Sequence, residues 1–128
     1  MSWQEDVVAA ILGDQTLAGL IGTRVFADVA PGEAIAPLIV YQQISEEGDT
    51  MFDGTRDVIF PLVQFSCWSP SKIGAIALAS ALRDAIEGKN LDGDSFASLG
   101  FSNQESTRDQ QTKLFCERID YRVSCNRN

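Results

Sequence analysis

The sequence predicts an α+β fold, in which a mostly antiparallel sheet of four to five strands carries two main helices on one face, in the order α-β-β-β-α-β-β. Three observations predict it. An apolar run over residues 57–68 leads directly into a helical pattern that ends at Ile86. A β-rich run at 38–44 precedes it, and alternating residues at 114–125 follow it. Runs of strands with few helices are typical of α+β proteins.

Length and composition fit one domain over residues 1–128, because 128 residues of which 45% are hydrophobic can bury a core. No apolar run approaches the roughly 20 residues that a membrane helix needs. The acidic start of the chain does not resemble a basic export signal. The net charge of −8 comes from residues 1–57, which hold ten acids against Arg24 and Arg56. This charge disfavours tight binding to a nucleic acid backbone, although a solvated acidic surface needs no partner.

The first helix is predicted by the capping-box spacing of Ser2 and Glu5 and by apolar residues at helical spacing, and Gly13 ends it. Asp14 is placed to cap a second short helical stretch, which Gly22 closes. Residues 24–27 form a short extended piece. Residues 28–37, with two prolines, are expected to form a loop.

The strand at 57–68 is apolar on both faces, so we expect both faces to be covered. Pro61 predicts an edge, a bulge or a bend, since proline cannot donate to the ladder. For the following helix, Ser69 is the expected N-cap, Pro70 the first helical residue and Gly88 the stop signal. Its apolar positions are Ala75, Leu78, Ala79, Leu82, Ala85 and Ile86, and its polar ones include Lys72, Ser80, Arg83, Asp84 and Glu87.

Residues 45–57 are expected to form a long, acidic and mobile connection between the strands 38–44 and 57–68. Met51 and Phe52 are large apolar residues within it, which either fold back onto the sheet or contact a neighbouring subunit. Near the C-terminus, residues 99–107 alternate as on a half-exposed strand. In the last strand one face is apolar, and the other carries Arg118, Asp120 and Arg122.

The sequence contains no convincing active site. Without histidine or a C-x-x-C pair, a zinc site is not expected, and Cys67, Cys116 and Cys125 are interpreted as small hydrophobic residues in a reducing compartment. Ser71 beside Lys72 is a weak nucleophile candidate, since adjacent helical residues point apart. The carboxylates of residues 46–53 do not have the spacing of an EF-hand calcium loop. No cofactor is expected.

Three segments in order carry a family resemblance: residues 17–28 (LAGLIGTRVFAD), residues 36–41 (APLIVY), and residues 63–68 (VQFSCW) with the alanine-rich helix that follows. Together they resemble the tail completion (tail terminator) proteins of long-tailed bacteriophages and prophages. The resemblance covers residues 5–87, and the C-terminal strands match in kind. The acidic stretch 45–57 departs from it.

The resemblance implies a structural virion protein rather than an enzyme. Such proteins form a ring of copies, often a hexamer, on the head-proximal end of the tail tube. The ring ends tube polymerisation and meets the head connector, and DNA passes through it without specific binding. The implied location is the virion tail, assembled in the cytoplasm of the bacterial host, with no membrane partner.

A ring subunit needs two different patches that meet head to tail. We expect one in the connection 45–57, with Met51, Phe52 and Arg56, and the other on the last strand, with Arg118, Asp120 and Arg122. An acidic bore would repel DNA, and its expected lining is Glu46, Glu47, Asp49 and Asp53.

Two alternatives stay open at this point. One is a different head–tail joining, neck or minor tail protein with a similar chain. The other is a small α+β enzyme or ligand-binding domain, which a pocket with convergent polar groups would favour.

Overall fold

A computed structural model describes residues 3–31, 35–50, 57–88 and 98–126. Its helices are α1 (Trp3–Leu12), α2 (Gln15–Ile21) and α3 (Lys72–Ile86). Its strands are β1 (Val25–Ala27), β2 (Leu38–Thr50), β3 (Asp57–Ser69), β4 (Ser98–Arg108) and β5 (Phe115–Asn126). The strands form one sheet in the order β1-β2-β3-β5-β4. Only β1 pairs in parallel, with β2, so the predicted α+β class and the mostly antiparallel sheet are confirmed.

The core lies between one sheet face and the helices. On β3 the buried side chains are Val63, Phe65 and Cys67, and on β5 they are Ile119, Tyr121 and Val123. The predicted apolar stripe of α3 is confirmed, because each of its six residues is buried. Four of the five alanines of this helix are buried, and their small side chains allow a close approach to the sheet. α1 and α2 close the core with Val7, Ile11, Leu17 and Ile21.

The second face of β3 is not covered as expected. Phe60, Leu62, Gln64, Ser66 and Trp68 are all half-buried, and the described core cluster contains none of them. Their apolar members suggested a covered face, but the described helices all lie on the other side of the sheet. We call this helix-free side, with the residues of β2, β4 and β5 that share it, the outer face.

β2 is longer than the sequence pattern suggested. The expected connection 45–57 is wrong for residues 45–50, because they pair with Asp57–Leu62 of β3. A polar sequence does not prevent strand formation when a partner strand satisfies the backbone groups. Met51, Phe52, Asp53 and Arg56 lie outside the described residues, as do Gly54 and Thr55.

Pro61 lies in β3, the central strand, so the edge expectation is wrong and the bulge expectation holds. The β2–β3 register shifts between Gln43 and Ser45, two residues from Glu46, the partner of Pro61. On the other side, the pairing of β3 with β5 passes from Ile59 directly to Leu62. The missing proline N–H accounts for this interruption of the ladder.

The start of α3 differs by two residues from the prediction. Ser71, not Ser69, is the N-cap: its side-chain oxygen accepts the N–H of Gly74 at 3.0 Å. Ser69 ends β3 instead, and its hydroxyl accepts the N–H of Ser71 at 3.4 Å. The caps predicted at Asp14 and Gly88 are confirmed, since Asp14 accepts from the N–H of Leu17 and Gly88 has a positive φ after α3. Ser2 of the predicted capping box lies outside the described residues.

Gly74 and Gly19 should respond in opposite ways to alanine. A Cβ at Gly74 would collide with the hydroxyls of Ser69 and Ser71 that order the cap, so Gly74→Ala should lower the free energy of unfolding by about 1 kcal/mol. A Cβ at Gly19 meets nothing within 4 Å, so Gly19→Ala should raise it by roughly 0.5–1 kcal/mol. Urea unfolding of the two variants measures both changes. A stabilised Gly74→Ala variant would contradict the cap geometry.

Candidate assembly surfaces

The outer face brings together three residues that the sequence singled out. Arg118, Asp120 and Arg122 lie on β5 opposite Ser66, Gln64 and Leu62 of β3. The Gln64 side-chain amide donates to Asp120 at 3.2 Å. The Arg122 guanidinium donates to the Phe60 carbonyl at 3.0 Å. These two contacts connect Asp120 and Arg122 of β5 to β3.

The Arg118 side chain has fewer hydrogen-bond partners than the side chains of Asp120 and Arg122. Its guanidinium lies 3.7 Å from the carboxylate of Glu105 on β4, and about half of that glutamate side chain is exposed. Among the described residues, Arg118 Nε is a buried side-chain nitrogen without a hydrogen-bond partner. Buried donors normally have partners. The contact with Glu105 is thus the ion pair of Arg118 among the described residues, and its Nε is enclosed within the subunit.

The structure describes the predicted acidic residues only in part. Glu46, Glu47 and Asp49 belong to β2, but their side chains are not described, and Asp53 lies outside the described residues. The sheet nevertheless separates them from the charged residues of β5. β3 lies between β2 and β5, and Glu46 and Glu47 pair with Pro61 and Phe60.

A second polar surface, which the sequence interpretation missed, joins α3 to β4. The Arg83 guanidinium makes a two-point ion pair with Glu87, at 2.7 and 3.1 Å. It also donates to the side-chain carbonyl of Gln104 at 3.0 Å and stacks 4.0 Å above the Phe101 ring. This arrangement fixes the last turn of α3 against the edge strand.

The same network continues into the core. The Tyr121 hydroxyl donates to Glu87 at 2.9 Å. The Gln104 amide donates to Glu117 at 2.9 Å, and the Ser106 hydroxyl donates to the other oxygen of that carboxyl group. Glu117 is only 5% exposed, so these donors replace the water that it loses on folding.

Charge and burial shift the pKa values of two groups in this network, Glu87 and Tyr121. Hydrogen bonding to Arg83 holds the pKa of Glu87 below its ordinary value, although partial burial opposes the shift. Burial raises the pKa of the Tyr121 phenol, and the bond to Glu87 adds to that effect. At neutral pH the network therefore contains an ionised Glu87 and a protonated Tyr121.

A groove of about 530 Å³ runs along this surface, lined by Ile76, Ser80, Arg83, Asp84, Glu87 and Gln104. Of its charged groups, Arg83 and Glu87 pair with each other. The Ser71 hydroxyl caps α3 by accepting the N–H of Gly74.

Cys67 and Cys116 are buried free thiols, and burial raises the pKa of both. This agrees with their interpretation as small hydrophobic residues. Within the described residues, no three His, Cys, Asp or Glu side chains are grouped so that they could hold a metal ion. No helix in the described part of the chain has the length and apolar character of a membrane span.

Part of this second polar surface could have been predicted from the sequence. Arg83 and Glu87 are four residues apart on a predicted helix, a spacing at which ion pairs form. Gln104, Glu117 and Tyr121 could be added only from the β4–β5 register, which places Gln104 opposite Ile119, between Glu117 and Tyr121 along β5.

Comparison with known proteins agrees with the architecture. The family model described as tail completion protein gp17 matches residues 5–125. Among solved structures, a chain from the virion of a native gene transfer agent particle superposes with a TM-score of 0.77. The two chains share 22% identity, and the match covers 97% of this chain and 94% of the other. This likeness shows a shared fold. The search of curated proteins gives no match.

Proposed function

Because this chain belongs to the tail completion protein gp17 family, we propose that it forms a ring that caps the tail tube, ends its polymerisation and joins it to the head connector. The family match over residues 5–125 is the observation that carries the proposal. A structural role in the virion tail follows from the family. The ring, its hexameric copy number and its contacts with tube and connector are the proposed part.

The structure supports this role through its surfaces. A rigid sheet backed by helices on one side leaves its outer face half-exposed, with apolar and charged residues side by side. Protein interfaces commonly combine such an apolar centre with a polar rim. Arg118, whose side chain is 33% exposed, adds a cationic group to this face.

We place the two ring contacts as follows. The outer-face residues Arg118, Asp120 and Arg122 form one patch, and the β2–β3 turn with Met51, Phe52 and Arg56 forms the other. The two patches are different, so each copy meets the next head to tail. Such heterologous contacts close into a ring when the rotation between copies is suitable.

The acidic residues of the β2–β3 hairpin have a separate proposed role. Glu46, Glu47, Asp49 and Asp53 line the bore, where their charge repels the DNA backbone and lets it pass without binding. The charge asymmetry supports this assignment, since the whole net charge of −8 comes from residues 1–57.

Replacement of both Met51 and Phe52 by serine tests the ring contact. We expect the variant to fold but to stay monomeric under conditions in which the wild-type chain assembles, because two apolar contacts are lost at every interface. Light scattering measures the assembly. Val29→Ser with Ile35→Ser is a matched control, since these apolar residues are 74% and 73% exposed outside the proposed patches. Unchanged assembly of the first variant would refute the placement.

A different neck or minor tail role is the second candidate. Electron microscopy of tails made without this protein separates the two. Abnormally long tails without heads support the terminator role. Tails of normal length that fail to join heads favour a joining role instead.

A further inference from the structure

The sheet has two uncovered edges at its opposite ends. β4 is the last strand on one side, and no described strand pairs with its outer edge. On the other side, β1 covers β2 only at Ile39–Tyr41. Residues 42–50 of β2 therefore continue beyond β1 without a described neighbour on that edge. Both edges expose a row of backbone donors and acceptors that another strand can pair with.

The hydrogen-bond pattern identifies the free amides of β4. The Asp109 N–H donates to the Leu114 carbonyl at 3.0 Å, so this pair is hydrogen-bonded. Paired residues alternate along an antiparallel ladder between bonded and non-bonded pairs. With the regular register from Asn103 to Arg108, the N–H groups of Gln104, Ser106 and Arg108 point away from β5 to the open edge.

The same reasoning applies to β2. The Ile39 N–H donates to the Arg24 carbonyl, and the Tyr41 carbonyl accepts from Asp28. The odd-numbered residues of this part of β2 thus face β1. Gln43 continues the alternation, so its backbone groups point to the edge that β1 leaves uncovered.

β4 lacks the usual protection of an exposed edge. It contains no proline and no lysine, and its charged residues are Glu105 and Arg108. Its one irregularity lies between Phe101 and Asn103, which leaves six regular residues to the end of the strand. Phe101 is 45% exposed beside this edge. Long, regular and unprotected edges pair readily with another strand.

We infer that the free edge of β4 binds residues 42–50 of β2 from a second copy of this chain, so that the sheet continues from one subunit to the next. The inference rests on the proposed ring. β4 runs antiparallel to β5, β5 to β3, and β3 to β2, so β4 is antiparallel to β2. A rotation about an axis along the strands preserves their directions. β4 of one copy therefore meets β2 of the next copy in an antiparallel ladder.

This contact explains how one chain supplies both sides of a ring interface from its backbone. The two edges differ, and each copy uses one of each, as a head-to-tail ring requires. It also leaves the outer-face residues and the turn at 51–56 available for side-chain contacts beside the ladder.

Ser106→Pro compared with Ser106→Ala tests the inference. Both variants lose the hydroxyl that contacts Glu117, but only proline removes the N–H on the open edge. The ladder with β5 does not use that N–H, so circular dichroism should show both variants folded. By sedimentation, Ser106→Ala should assemble as the wild type does. Ser106→Pro should associate about tenfold more weakly per interface.

Hydrogen exchange of the wild-type chain gives a second readout that needs no variant. On assembly, the amides of Gln104, Ser106 and Arg108 should become protected, together with those amides of residues 42–50 that point away from β3, Gln43 among them. Protection of both segments supports the inference even if Ser106→Pro fails to fold. Equal assembly of both variants, with these amides exchanging freely in the assembled wild type, overturns the inference while the ring stands. A wild-type chain that stays monomeric at every concentration and beside tail tubes overturns the proposed function too.

Discussion

Phe65→Ala is expected to lower the free energy of unfolding by about 3–5 kcal/mol, because it empties the centre of the core. Phe65 is fully buried on β3. Its ring packs edge-on against Tyr121 at 5.9 Å and lies 6.3 Å from Tyr41 on the other neighbouring strand. The loss is a large share of the roughly 5–15 kcal/mol that stabilises a typical domain. Urea unfolding measures it.

Gln64→Ala is the matched control for that substitution. Gln64 is the preceding residue on the same strand, but it lies half-buried on the outer face and bonds to Asp120. Its loss should cost less than about 1 kcal/mol. Similar losses for the two variants would contradict a core confined to one side of the sheet.

That core was predictable because its pattern is local. The spacing of Ala75, Leu78 and Leu82 identifies the buried stripe of α3 whatever lies against it, and the alternation of β5 separates Ile119 and Tyr121 from Arg118 and Asp120 in the same way. Periodicity within one element needs no knowledge of its neighbours. The α+β class followed from the same patterns.

The wrong predictions concern residues whose structure depends on a neighbouring helix or strand. Residues 45–50 have the composition of a loop, yet β3 satisfies their backbone groups as a partner strand. Ser69 and Ser71 are equally good caps by residue type, and only the end of β3 selects Ser71. The apolar residues Phe60 and Trp68 do not reveal by themselves that the described helices leave their face open.

For the candidate surfaces too, residues grouped within one strand could be predicted, and residues brought together from different strands could not. Arg118, Asp120 and Arg122 share a face because they alternate on one strand, so the sequence could group them. Gln104 and Glu117 belong to different strands, and only the register brings their side chains within 2.9 Å. For Met51, Phe52 and Arg56, the assignment to an interface stays a prediction.

The network around Glu117 leads to a second large effect. Gln104→Leu removes the amide that donates to the buried Glu117 and the carbonyl that accepts from Arg83. Ser106 is then the described donor left to Glu117. We expect the free energy of unfolding to fall by about 2–3 kcal/mol, because a buried carboxyl group keeps its desolvation penalty but loses a partner.

A double-mutant cycle distinguishes this loss from a simple change in packing. Glu117→Leu alone leaves the Gln104 amide and the Ser106 hydroxyl without their acceptor. When both Gln104 and Glu117 are leucine, neither the amide donor nor the carboxylate acceptor of this hydrogen bond remains to be satisfied. Two apolar side chains then occupy neighbouring strands at the edge of the core. The double variant should therefore lose less stability than the two single variants together, by about 1 kcal/mol or more. Additive losses would mean that the two side chains contribute independently, and that the bond between them does not connect β4 to β5.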